Sequence, residues 1–92
     1  MRIGLIGATG AVGKERVQVL FDRKFPVTEL ILFASARSAG KKQETPFGTK
    51  IIEEFSLEKT QDLDLVLMAV SGDFAREYAP RIAAGKPLVI DN

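Results

Sequence analysis

Met1-Arg2-Ile3-Gly4-Leu5-Ile6-Gly7-Ala8-Thr9-Gly10-Ala11-Val12-Gly13 opens the chain. Ile3, Leu5 and Ile6 form a short run of branched apolar residues with no charge inside it, the pattern of a strand buried on both faces. Gly7, Gly10 and Gly13 follow at a spacing of three. The first allows a tight exit from the strand. The second lets backbone approach a pyrophosphate, and the third lets the next helix pack close to the sheet. The free N–H groups and positive end of that helix would face the anion. The spacing departs from the commoner G-x-G-x-x-G fingerprint and reads as a variant turn. A strand–turn–helix connection that holds no ligand could carry the same glycines, so the rest of the chain must decide.

Working outward, Val12 to about Lys24 places Val12, Val17, Leu20 and Phe21 among charged and polar residues, a stripe that should pack a helix on the sheet. Phe25-Pro26 should end it. Glu29-Leu30-Ile31-Leu32-Phe33-Ala34-Ser35 reads as a second parallel strand of a βαβ unit. Beyond it, where an NAD-binding unit usually carries an Asp or Glu for the ribose hydroxyls, stands Ser35-Ala36-Arg37-Ser38 with no carboxylate. A guanidinium fork flanked by hydroxyls suits a 2′-phosphate, so Ser35, Arg37 and Ser38 point to NADP rather than NAD. Gly40-Lys41-Lys42 continues as loop, its charge more simply solvated than bound.

Pro46 to Phe55 alternates in part and suits a peripheral strand in a hairpin inserted beside the nucleotide fold. Ser56-Leu57-Glu58-Lys59 resembles a short helix start. Leu63 to Val70 is a third apolar strand, leaving Ser71 and Gly72 at the edge where a cofactor's phosphate–ribose region would lie. Asp73 is expected to cap the next helix, whose Phe74, Tyr78 and Ile82 recur at a spacing of four. Pro80 should either kink that helix or stop a first piece of it, with Gly85 closing it. Leu88-Val89-Ile90-Asp91-Asn92 reads as a last strand.

Ninety-two residues suit one small α/β domain: a Rossmann-like, doubly wound, mostly parallel sheet with helices on both faces. A net charge of +1 gives no reason to expect nucleic acid, and no apolar run approaches membrane-spanning length. The start lacks a basic-then-apolar leader, so a cytoplasmic protein is expected. The chain has no histidine and no cysteine. It therefore lacks the commonest general base and any thiolate nucleophile or metal ligand.

Gly7-Ala8-Thr9-Gly10-Ala11-Val12-Gly13, Phe33-Ala34-Ser35-Ala36-Arg37-Ser38-Ala39-Gly40, Glu77-Tyr78-Ala79-Pro80 and Val89-Ile90-Asp91-Asn92 together resemble the N-terminal part of the aspartate-semialdehyde dehydrogenase family. The resemblance implies an oxidoreductase that interconverts aspartyl phosphate and aspartate semialdehyde with NADP(H) and phosphate, on the route to lysine, methionine and threonine. It implies a cysteine nucleophile and a histidine acid–base catalyst, neither of which this chain contains, so no catalytic residue carries over. It assigns Thr9, Gly10, Ala11 and Val12 to the pyrophosphate and Ser35, Arg37 and Ser38 to the 2′-phosphate. Where the family often has Ser-Ala-Gly-Gly-Ser after the third strand, this chain has Ala69-Val70-Ser71-Gly72-Asp73. N-acetyl-glutamyl-phosphate reductases share the fold and often carry an aromatic residue within the glycine turn, where this chain has Ala11.

Residues 1–92 are thus expected to form an NADP-binding domain whose catalytic and dimerisation domain is absent, inactive alone. Surface which that missing part covers would then be open to self-association.

Overall fold

The computed structural model describes residues 1–91. Five parallel strands form the sheet: β1 (Arg2–Ile6), β2 (Glu29–Ala34), β5 (Glu53–Glu54), β6 (Leu65–Met68) and β7 (Leu88–Asp91), in spatial order β5-β2-β1-β6-β7. β3 (Lys42–Thr45) and β4 (Gly48–Ile51) pair as a separate antiparallel hairpin. Asn92, the last residue of the Val89-Ile90-Asp91-Asn92 pattern, lies outside the described residues.

The opening apolar run is central because both its edges are paired, Ile3 to Ile6 standing opposite Leu30 to Phe33 on one side and Leu65 to Met68 on the other. Alternation sends its side chains to opposite faces. Ile3 and Leu5 join Val17 and Leu20 of helix α1 (Ala11–Asp22) on one face. Ile6 joins Phe33, Met68, Ala75 and Ile82 on the other, where α2 (Leu57–Thr60) and α3 (Gly72–Ala83) lie. Helices thus cover both faces, as the doubly wound reading requires.

Several local expectations are corrected. Val12 and Phe21 do not belong to the packing stripe of α1: they stand 46% and 48% exposed, while Gly13, Val17 and Leu20 are buried. At 100° per residue Val12 and Phe21 fall on opposite flanks of that buried line, and Phe21 instead meets Phe47 of the hairpin edge-on at 5.6 Å. Helix α1 ends before Phe25-Pro26, at Asp22 with Arg23 as its C-cap, and Lys24 follows in the left-handed region at a φ of 55°. The N–H groups of Lys24 and Phe25 return to the carbonyls of Phe21 and Leu20. Lys42 opens strand β3 instead of extending a loop.

Ser71, not Asp73, is the N-cap of α3, and it makes no side-chain capping bond. Asp73 sits within the first turn, 95% exposed and paired with Arg76 at 3.4 Å, a place where its charge suits the helix dipole. Pro80 does not divide α3, which is continuous through it. The carbonyl of Arg76, which proline leaves without its N–H partner, belongs to an exposed turn where water can serve it.

One part of the sheet is bare. Leu88 and Ile90 share a face with Leu65 and Leu67 through their register, yet they are 65% and 46% exposed. Among the described residues α1 is the only helix on that face, and it packs with β1 and β2, where Phe47 and Ile52 join it. No described helix is long and apolar enough to cross a membrane.

At the amino ends of the strands, Arg2 holds the sheet through charge. Its guanidinium meets Glu29 at 2.6 Å and Asp62 at 2.9 Å, and its backbone N–H donates to Asp64 at 2.7 Å. Lys86 reaches the same Asp64 at 3.0 Å. The Arg2 N–H, aided by Lys86, holds the Asp64 carboxyl below its ordinary range, and the Arg2 guanidinium does so for Asp62. Groups depressed on folding contribute stability that is complete above the unfolded pKa, about 3.9 for Asp, and is lost as pH falls through the folded value. Asp64→Asn is therefore expected to flatten the loss of stability below about pH 4, measured by urea unfolding at stepped pH. An acid limb identical to that of the parent chain would remove Asp64 from this role.

Candidate cofactor site

Strand order reverses between β1 and β6, and the crevice at their carboxyl ends is where such sheets bind ligands. The glycine turn fills one wall of that crevice under tight constraint. Gly7 adopts φ +90°, and a Cβ there would lie 2.2 Å from the carbonyl oxygen of Ala69 at the end of β6. A Cβ on Gly13 would lie 2.3 Å from the carbonyl oxygen of Gly7, so the third glycine brings α1 against the turn. Gly10 is different. Its φ is −79°, and the nearest atom to an added Cβ is 3.8 Å away. Folding needs glycine at 7 and 13, whereas at 10 the space is left open to solvent.

That open space faces unfilled donors. Gly10 is the N-cap of α1 and offers no side-chain cap, and Lys14 is the first residue of the helix whose N–H returns to it. The N–H groups of Ala11, Val12 and Gly13 have no partner among the described residues. Unfilled amides at the start of a helix, beside a position where no side chain intrudes, fit a phosphate group. The turn itself is held from two sides. Gly7 and Ala8 both donate to the carbonyl of Phe33 on β2, at 3.0 and 3.2 Å. Gln43 of the hairpin donates to the carbonyl of Ala8 at 2.9 Å.

The structure brings Ser35 to this turn. Gly7, Thr9, Ala34 and Ser35 line a hollow of about 330 Å³ together with Ile6, Phe55, Val70 and Phe74. Arg37 and Ser38 lie in the same tight turn as Ser35, whose carbonyl accepts the N–H groups of Ser38 and Ala39 at 3.0 and 3.1 Å. They do not line the hollow. Arg37 is exposed and enters no ion pair among the described residues. Ser71 and Gly72 open α3 across the crevice, exposed, at a second uncapped helix start. They do not line the hollow either.

Three contributors escaped the sequence reading: Gln43, Phe55 and Phe74 as a site residue. Gln43 lies in a polar strand with no motif. Phe55 reads only as the end of a peripheral strand and Phe74 only as part of a helix stripe, and both pack with Tyr78, at centroid distances of 5.0 and 4.7 Å. Phe55, directly after β5, stands beyond a strand's carboxyl end, the one signal available; Gln43, inside β3, carries none.

An all-parallel sheet in this order, with a glycine turn and uncapped helix starts at its crossover point, defines a dinucleotide-binding domain of the Rossmann type. The chain belongs to the family described as "Semialdehyde dehydrogenase, NAD binding domain", whose model matches residues 2–92. It is 42% identical over its whole length to an aspartate-semialdehyde dehydrogenase of Streptomyces akiyoshiensis, and 37% identical over 99% of its length to one of Aquifex aeolicus. Among solved structures, aspartate semialdehyde dehydrogenase II of Vibrio cholerae complexed with ASA superposes on 99% of this chain with a TM-score of 0.86 and 35% identity. The chain spans only about a quarter of those relatives, 26% and 27% of the two sequences and 30% of the solved chain.

Proposed function

We propose that this chain is the NADP(H)-binding domain of an aspartate-semialdehyde dehydrogenase. Cofactor hold is its own task; the nucleophile and the acid–base group of the interconversion of aspartyl phosphate and aspartate semialdehyde come from elsewhere in the protein. A nicotinamide cofactor follows from the family, and the choice of NADP is the further step. The observation that carries it is the turn after β2, where Ser35 adjoins the glycine turn and Arg37 extends without an acidic neighbour in ion-pair contact. A carboxylate at this place would repel a 2′-phosphate, whereas a free guanidinium and two hydroxyls can bond it.

In this reading the amides of Ala11, Val12 and Gly13 take the pyrophosphate, with Thr9 at the edge, Gly10 keeping the path clear, and Gly7 and Gly13 shaping the turn that presents them. Ser35, Arg37 and Ser38 hold the 2′-phosphate. Ser71 and Gly72 face the ribose on the nicotinamide side. When bound, the nicotinamide supplies hydride transfer, and the residues of this chain bind and orient it. The relatives' names support the aspartate enzyme; a role in amino-acid biosynthesis and a cytoplasmic setting are part of the proposal.

Titration with NADPH and NADH, followed by reduced-nicotinamide fluorescence, tests the assignment. NADPH is expected to bind more tightly. Hydrogen bonds to charged groups contribute about 1.5–3 kcal/mol, so Arg37→Ala should weaken NADPH roughly ten- to a hundredfold and leave NADH nearly unchanged. Equal affinity for the two cofactors in the parent chain would refute the 2′-phosphate role.

A further inference from the structure

We infer that Gln43 is a positioning residue for cofactor binding: from the β3–β4 hairpin it fixes the peptide between Ala8 and Thr9, so that the Thr9 N–H is presented to the pyrophosphate beside the amides of α1. The inference rests on the cofactor reading above and adds the residue that sets the shape of the glycine turn from outside it.

The glycine turn leaves one of its own peptides unheld. Its closing bond runs from the Gly10 N–H to the Gly7 carbonyl at 3.3 Å, which ties the first residue to the last and gives nothing to the Ala8–Thr9 peptide at the apex. Phe33 holds only the strand side, where its carbonyl takes the N–H groups of Gly7 and Ala8. The Ala8 carbonyl is taken by the Gln43 side-chain amide at 2.9 Å. The Thr9 N–H has no partner among the described residues. In a planar trans peptide the carbonyl and the N–H point in opposite directions. With the Ala8 carbonyl drawn to the hairpin, the Thr9 N–H therefore points away from the hairpin, and Thr9 itself lines the hollow at the crevice.

Gln43 can impose this orientation because the strand that carries it is itself fixed. The antiparallel ladder sets Gln43 opposite Lys50. At the root of the hairpin the Gly40 N–H donates to the Ile52 carbonyl at 2.7 Å and the Ile52 N–H to the Lys41 carbonyl at 2.8 Å, with the Ile52 side chain buried in the core. At its tip Phe47 stands edge-on to Phe21 of α1. The same root adjoins the turn that carries Arg37, since the Lys41 N–H returns to the Ser38 carbonyl at 3.2 Å. One rigid hairpin thus meets both phosphate-holding turns, and Gln43 is its link to the glycine turn. Without that amide the Ala8 carbonyl loses its donor and the apex peptide is free to rock, which misaims the Thr9 N–H.

Calorimetric titration of the parent chain, Gln43→Met and Thr49→Val with NADPH and NADH, joined to heteronuclear amide NMR of each, tests the assignment. Gln43→Met keeps the length of the side chain and removes its donor. Thr49→Val removes a different hairpin bond, from the Thr49 hydroxyl to Glu44 at 2.6 Å, and controls for the integrity of the hairpin. Gln43→Met is expected to bind both cofactors about fivefold more weakly, and by equal factors, because the pyrophosphate is common to them. Thr49→Val should bind as the parent does. In the parent the Thr9 amide resonance should move on adding cofactor, together with those of Ala11, Val12 and Gly13, and in Gln43→Met the Thr9 movement alone should shrink. Parent-level affinity in Gln43→Met, or equal losses in Gln43→Met and Thr49→Val, overturns the assignment and leaves the cofactor reading standing. So does a Thr9 resonance that stays still in the parent while the α1 amides move, an outcome that needs no variant to fold. A parent chain that binds neither cofactor overturns both.

Discussion

Gly7→Ala is expected to cost most of the stability of this chain. A non-glycine residue at the φ of +90° is strained by about 1–2 kcal/mol. The added methyl must also displace the Ala69 carbonyl, 2.2 Å away and fixed in place because the Ala69 N–H donates to Ile6 at 2.8 Å. Overpacking of that kind costs about 1–3 kcal/mol more. Against a total of about 5–14 kcal/mol for a chain of this length, the two together remove a large share. Gly10→Ala supplies the contrast, because its Cβ meets nothing closer than 3.8 Å. It should lose about 1 kcal/mol or less, from a poorer N-cap, while losing NADPH affinity. Urea denaturation and NADPH titration of both variants check this. If Gly7→Ala unfolds at the parent midpoint, or Gly10→Ala binds NADPH normally, the division between folding and ligand glycines is wrong.

Phe33→Ala is expected to be of similar size for a different reason. The ring is fully buried between the sheet and α3 and stands edge-on to Phe55. Removing a buried Phe costs about 3–5 kcal/mol in lost transfer energy and cavity. Phe21→Ala, at a ring 48% exposed, should cost far less. Denaturant midpoints of the two variants decide it, and equal losses would contradict the burial described.

The contrast between these phenylalanines also marks how far the sequence could be read. Leu30 to Ala34 and Leu65 to Met68 were legible as buried strands because a strand covered on both faces has no polar interruption. The parallel order followed from the βαβ rhythm, and the glycine turn from its place between strand and helix. Phe21 and Val12 were misplaced because apolar character names a preference and not a direction; only the line Gly13–Val17–Leu20 meets the sheet. The strand Lys42–Thr45 was invisible because its partner and Gln43's bond to Ala8 are tertiary, with no apolar alternation behind them. Asp73 reads as a cap because an acid before an apolar helix often is one, yet Ser71 has the extended backbone that the position needs. Of the site, the glycine turn was readable from its spacing. The meeting of Phe55 with Phe74 was not, since it depends on strand β5 joining the sheet beside β2.

The central place of β1 has a consequence for how the chain is made. Arg2 leaves the ribosome early, yet its backbone partner Asp64 lies 62 residues later. One edge of β1 is closed once Glu29–Phe33 has emerged, and the other only when Leu65–Met68 arrives. Synthesis at about 5–20 residues per second leaves that second edge of the first strand unpaired for seconds. An open strand edge is a template for other strands, so the fold's most buried strand is, during synthesis, the one that a chaperone has most reason to shield.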